Sequence, residues 1–377
     1  MNYDERALDL HKRFGGKITT VLRDQSELNR EKLSSYYSPG VGAVSRAIAE
    51  DPSKLPEYTW TNNLVAVISD GSAVLGLGDI GPKASMPVME GKALLFKHFA
   101  GIDSIPITLD VHTPDEIVVT IKAISSSFGA INLEDIAAPK CFEIEERLKA
   151  ELDIPVFHDD QHGTAIVTLA GLINAMKVVG KKLEDAKIVV IGAGAAGTAI
   201  IKLLHLYARP QIIVVDSKGI ISSSRTDLNE EKKKLFDYVD SSQPGNLEEA
   251  ITNADIFIGV SQPGLLTKEL IAKMATKPVV FALANPTPEI MPDIAKEAGV
   301  AIIATGRSDF PNQVNNAVAF PGIFKGALKN GVKKITDAHK IAAAEAIASL
   351  IEAPDAEHII PSVFDERLVP EIAKVIR

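Results

Sequence analysis

Five short runs constrain this chain more than any other feature: KIVVI (187–191), QIIVVD (211–216), DIFIGV (255–260), PVVFALA (278–284) and VAIIA (300–304). They are rich in β-branched residues and almost wholly apolar, so both faces of each must be buried, as in a parallel sheet. Helical stretches separate them at 195–208, 229–238, 246–252, 267–274 and 289–298. Parallel neighbours need such crossovers, and the alternation predicts a doubly wound α/β domain over 161–333.

Residues 1–160 read as a second α/β unit. VAVIS (65–69), AVLGLG (73–78), ITLDV (107–111) and AINLEDI (130–136) are strand candidates, with helices near 88–100 and 115–127. A charged leading helix and the loop SYYSPGVG (35–42) precede them. Residues 334–377 are helical, TDAHKIAAAEAIASLI above all, with Thr336 or Asp337 as N-cap, and are expected to pack back on the N-terminal unit.

The strand KIVVI runs into GAGAAG (192–197), which opens the helix at 195. Gly192, Gly194 and Gly197 fit G-x-G-x-x-G: a tight turn, a close approach of backbone to pyrophosphate, and a close helix–strand contact. The amides of Ala195 and Ala196 lie at the helix N-terminus, where free N–H groups suit phosphate. Asp216 ends the next strand 19 residues after the last glycine, where a carboxylate meets ribose hydroxyls. Asp216 leans toward NAD, and Lys218 two residues on offsets that, so NAD or NADP is expected.

Four polar clusters mark the first half. Tyr37 precedes a Ser-Pro-Gly turn, and Lys92 sits in a mostly apolar helix after the glycine-rich turn around Asp79. Glu134 and Asp135 follow an apolar run, and HDDQHGTA (158–165) precedes another. Each has a plain structural reading: a core tyrosine, a snorkelling lysine, solvated carboxylates, or a helix cap at Asp159 or Asp160. His158 and His162 have the spacing of a zinc pair on a helix, but Pro155 and Gly163 place the helix start near 163, and no third soft ligand is nearby. The carboxylates Glu134, Asp135, Asp159 and Asp160 all lie near strand ends, and an all-oxygen set suits Mg2+ or Mn2+.

A net charge of −9 argues against a nucleic-acid or anionic-membrane partner. The run NEEKKKLFDY (229–238) carries its own glutamates and reads as a solvated helical face. The longest uncharged apolar runs, such as 188–201, fall short of the roughly 18 residues a membrane span needs. The N-terminus is charged from its fourth residue, unlike a secretory signal. The single cysteine, Cys141, allows no intramolecular disulfide, and the expected location is cytoplasmic.

Taken in order, YYSPGVG, GLGDIG…MPVMEGKALLFKHFAGID, NLEDI, HDDQHGTA, GAGAAG, LANPTPE and NNAVAFPG closely resemble the malic enzymes, and most of all their short two-domain prokaryotic form. The resemblance runs from about residue 10 to about 330. It implies oxidative decarboxylation of malate to pyruvate with NAD(P) and a divalent metal, and oxaloacetate decarboxylation with it. By position, Lys92 would be the base at the C2 hydroxyl, Tyr37 the acid that protonates C3, and Asp159 the partner of the lysine. Glu134, Asp135 and Asp160 match the metal carboxylates. Asn285, Asn315 and Asn316 match positions near the substrate and the nicotinamide. A Rossmann-type NAD(P) domain after an N-terminal catalytic domain, and a homodimer or dimer of dimers, are further implications. One departure stands out: longer eukaryotic members have an arginine just before GLGD, where Ala73 and Val74 precede Leu75 here. The malate carboxylate is then left to the metal, the asparagines or another subunit.

Overall fold

The computed structural model describes residues 3–74 and 76–377. The N-terminal half holds a four-stranded parallel sheet of β1 (Leu64–Ser69), β2 (Asp103–Thr108), β3 (Ala130–Leu133) and β4 (Val156–His158), in the order β2-β1-β3-β4. Side chains alternate across it. Val65 and Val67 of β1 face one core, while Leu64, Ala66 and Ile68 face another, on which Ile117, Ile121 and Ile144 pack. Only β2 is half-exposed along its whole length, which suits an edge strand carrying Pro106. That strand starts at Asp103, ahead of the expected ITLDV.

The second sheet comprises β5 (Lys187–Ile191), β6 (Gln211–Asp216), β7 (Gly219–Ile220), β8 (Ile256–Gly259), β9 (Val279–Ala282) and β10 (Ile302–Thr305). Its order is β10-β9-β8-β5-β6-β7, parallel except for the last pair. Ile188 and Val190 face one core and Val189 and Ile191 the other, so the sheet is buried on both faces, as its composition requires. The strand order steps outward from β5 on one side to β6 and on the other to β8, which is the doubly wound arrangement.

The helix Asp159–Val179 joins the halves. It begins at Asp159, four residues ahead of the expected start, with His158 at the N-cap position. This helix alone has the length and apolar composition to cross a membrane among the described residues, and most of it is buried inside the fold. An aromatic cluster ties the halves together: Phe96 packs edge-on against Phe320 and Phe324 at 4.7 and 5.1 Å. The C-terminal tail uses Thr336 as its cap, the hydroxyl accepting from His339 N–H. It meets the N-terminal half where Phe364 touches Phe99, and packs along the joining helix and Phe320–Asn330.

AVLGLG is not a strand. Gly76 and Gly78 have positive φ, Val74 N–H closes on Gly78 O, and Leu75 lies outside the described residues. A flexible glycine at every second position makes turns of an apolar run. The stretch 229–238 is also less regular than expected, a short helix Glu230–Lys233 followed by a 3-10 turn.

Candidate active site

Parallel register brings the polar clusters together. Leu133 of β3 pairs with His158 of β4, so the residues following each strand emerge side by side at one sheet edge. These are Glu134 and Asp135, and Asp159 and Asp160. Ligand chemistry collects at this carboxyl edge in open α/β sheets. Lys92, from the helix Gly81–Ala100, reaches over it with its ammonium 2.6 Å from Asp159 Oδ2 and 2.9 Å from Glu134 Oε1. The C-terminal half closes the other side. Asn316 Oδ1 lies 3.4 Å from the Lys92 ammonium, and the Phe320 ring centroid 4.5 Å from it.

Lys92, Glu134, Asp135 and Asp159 are buried, while Asp160 and Asn316 are half-buried. Burial by itself would lower the Lys92 pKa, but Asp159, Glu134 and Asp160 overcome it and raise it, so the free side chain is firmly protonated. Burial pushes Asp159 up to about 6 and lifts Glu134 and Asp160 as well, against the pull of Lys92. Carboxylates so crowded want a cation. One oxygen from each of Glu134, Asp135 and Asp160 falls within 4.8 Å of the others, a hard, all-oxygen donor set that fits Mg2+ or Mn2+. Asp135 sits at φ 53°, a costly conformation for a non-glycine residue, and its N–H donates to Asp160 Oδ2 at 2.7 Å.

The histidines take other places. His162 Nε2 lies 2.8 Å from Glu145 Oε2, and burial drives its pKa down to about 3. His158 is fully buried, 3.7 Å from Asp160, and burial keeps it neutral too. They do not converge as a zinc pair. Glu145 is the residue that sequence reasoning missed. Buried on the helix Lys140–Glu151, it accepts from His158 N–H at 3.0 Å, as well as contacting His162 and Lys149. It therefore grips HDDQH on both sides of its aspartates. The signal was present: Glu145 interrupts the buried stripe of Cys141, Ile144 and Leu148.

Gly163 fits tightly in the same place. A Cβ there would lie 1.8 Å from Asp159 Oδ1 and 2.9 Å from Asn316 Cβ. In the GAGAAG turn, Gly192 has φ 107°, and a Cβ on Gly197 would lie 1.9 Å from Gly192 O. Gly194 faces open space, with Ala195 and Ala196 opening the helix behind it. Asn285 follows β9, and a Cβ on Gly306 would strike its Nδ2 at 2.4 Å. Asn315 is occupied, its Oδ1 accepting from Ala317 N–H at 2.9 Å. Tyr37 is 69% exposed at the end of the helix Arg30–Tyr36, and shares no hydrogen bond or ring contact with the Lys92 cluster among the described residues.

Comparison with known proteins agrees in both halves. The profile for the malic enzyme N-terminal domain matches residues 15–149, and that for the malic enzyme NAD-binding domain matches 161–375. The chain belongs to the malic enzyme family. It is 53% identical over 380 residues to a bifunctional malic/malolactic enzyme of Bacillus subtilis, covering 100% of this chain and 92% of that one. An NADP-dependent malic enzyme of Halomonas elongata is 48% identical over 99% of this chain and 92% of its own. The crystal structure of an NAD-dependent malic enzyme from Thermotoga maritima superposes with TM-score 0.95 at 51% identity, over 98% of each chain.

Proposed function

We propose that the Lys92 cluster is the catalytic centre of an NAD(P)-dependent, decarboxylating malate oxidoreductase. The observation that carries this is the ammonium of Lys92 held between Asp159 and Glu134, beside a carboxylate triad of metal-binding geometry. Lys92 takes the proton of the C2 hydroxyl, and Asp159 orients the lysine and pairs with the ammonium that forms. Tyr37 returns a proton to C3 after CO2 leaves. Asn316, Asn315 and Asn285 position substrate and nicotinamide, while Gly192, Gly194, Ala195, Ala196, Gly197 and Asp216 seat the dinucleotide. When bound, the dinucleotide accepts the hydride from C2, and a divalent ion on Glu134, Asp135 and Asp160 supplies Lewis acidity and offsets the charge that keeps Lys92 protonated. Residues 1–160 serve as the catalytic domain, 161–333 as the dinucleotide domain, and 334–377 as its C-terminal helices.

The working unit is a homodimer or dimer of dimers. Helices Tyr3–Phe14, Arg30–Tyr36 and Val41–Glu50 bury no residue within the chain, and Phe14, Leu22, Leu28, Tyr36 and Tyr37 are all more than 60% exposed. An apolar surface of this kind marks an interface, and covering it would bring Tyr37 out of water. The net charge and the single cysteine, whose thiol burial pushes up to about 12, suit a cytoplasmic enzyme without nucleic-acid or membrane partners. The test follows nicotinamide absorbance and pyruvate with malate and either cofactor, with Mn2+ or with EDTA. Pyruvate formed only with metal and cofactor together is the expected result; activity that survives chelation would indicate a dehydrogenase that does not decarboxylate.

A further inference from the structure

Asp216 stands where a carboxylate would receive the adenosine ribose hydroxyls, but its acceptor positions are already filled. Oδ1 accepts from Lys218 N–H at 2.9 Å and from Arg225 Nη1 at 2.7 Å. Oδ2 accepts from Arg225 Nη2 at 3.2 Å and from Lys232 Nζ at 2.5 Å. A carboxylate offers about four lone-pair sites, so a neutral ribose diol finds none free without displacing a charge-assisted bond.

Arg225 is equally committed. Its Nε and Nη2 also donate to Asp227, at 2.9 and 2.8 Å, and Nη1 reaches Gly219 O at 3.3 Å. The two lysines beside it are not. Lys232 spends one of its three N–H donors on Asp216, and Lys218 one on Asp227 at 2.8 Å. Both ammonium groups reach solvent, their side chains 29% and 66% exposed. Three cations, Lys218, Arg225 and Lys232, face two carboxylates, Asp216 and Asp227, which leaves one positive charge in excess. The neighbouring Glu230 and Glu231 are paired with Lys233 and Lys234.

We propose that this corner is a subsite for the 2′-phosphate of NADP+, bound by Lys218 and Lys232 while Arg225 neutralises Asp216, so that NADP+ binds more tightly than NAD+. The proposal rests on GAGAAG being the dinucleotide cradle. It reverses the lean that Asp216 suggests in the sequence, because the fold supplies the cations that mask it.

The test is titration calorimetry of NAD+ and NADP+ on the intact enzyme with Mn2+, for wild type, Lys218→Ala, Lys232→Ala and the double variant. Each single variant should lose NADP+ affinity, roughly 10-fold for Lys232→Ala and a few-fold for the more exposed Lys218→Ala. NAD+ affinity should stay within about twofold, and added salt should weaken NADP+ more steeply than NAD+. Equal losses for both cofactors, or NADP+ affinity that ignores both lysines, would overturn the proposal. Gly197→Val separates this from the cradle itself. If that variant loses both cofactors while the lysine variants change nothing, only the subsite fails; if it keeps both, the cradle reading fails.

Discussion

Gly163→Ala adds a single methyl group at the one point where the chemistry has no slack. The new Cβ would lie 1.8 Å from Asp159 Oδ1, against about 3.5 Å for a comfortable non-bonded contact, so something must move by well over about 1 Å. Asp159 cannot move away freely. It is fully buried, and its other oxygen holds Lys92 at 2.6 Å. Asn316 Cβ, 2.9 Å from the added atom, blocks the other direction. Displacement of that order in a catalytic group costs about 100-fold in rate. Overpacking of the buried site costs about 1–3 kcal/mol in stability, a shift of a few degrees that leaves the protein folded at assay temperature. The assay is steady-state malate oxidation with Mn2+, beside a thermal unfolding scan and a cofactor titration. We expect kcat to fall by about two orders of magnitude, with NAD(P) affinity unchanged, since the methyl group does not touch the glycine turn. Turnover within about twofold of wild type in the folded variant would refute the reasoning. It would mean that the Asp159–Lys92 contact is not needed at this geometry.

Further outcomes follow from the same site. Lys92→Ala should abolish malate oxidation while NAD(P) affinity is retained; a variant that still turns over would remove the lysine from the chemistry. Tyr37→Phe should spare oxaloacetate reduction far more than pyruvate formation, and equal losses in both would argue against its acid role. Mn2+ affinity should weaken markedly from about pH 8 to about pH 6, because Glu134 and Asp160, whose pKa values burial raises, must shed protons to bind it. With those pKa values higher in the folded than in the unfolded chain, metal-free stability declines as pH rises through the raised values, and added Mn2+ restores it. Calorimetry that finds a flat affinity across that range would contradict this. Glu145→Ala leaves His162, Lys149 and the His158 N–H without their shared acceptor, and should cost about 3–5 kcal/mol in chemical denaturation. A loss under about 1 kcal/mol would show that the buried network is not holding HDDQH in place.

The strands of the second domain were legible because their residues have one tolerable environment. KIVVI and QIIVVD are observed at the residues expected, since a run apolar on both faces can be satisfied only between two layers. The same rule misread AVLGLG, where Gly76 and Gly78 spend the apolar run on turns. The early start of the joining helix was hidden by Gly163, which looked like a helix boundary. It is a helix-interior glycine kept small by Asp159 and Asn316, and Asn316 lies 153 residues further along the chain. Glu145 was overlooked because an acidic residue on a helix is usually solvated, and its place within an apolar stripe was the one sign that it is not.

Local chemistry was written into the sequence: which β-branched runs become strands of the second sheet, and where the glycine turn opens a helix. These depend on side-chain type and on spacing over a few residues. What lies between residues distant in sequence was decided by tertiary structure alone. Parallel pairing of Leu133 with His158 sets Glu134 and Asp135 beside Asp160, and folding of one half over the other brings Lys92 to Asn316. Arg225 and Lys232 set two cations against Asp216. An ionic group acts through its neighbours across a few ångströms, and the order of residues in the chain does not say who those neighbours are.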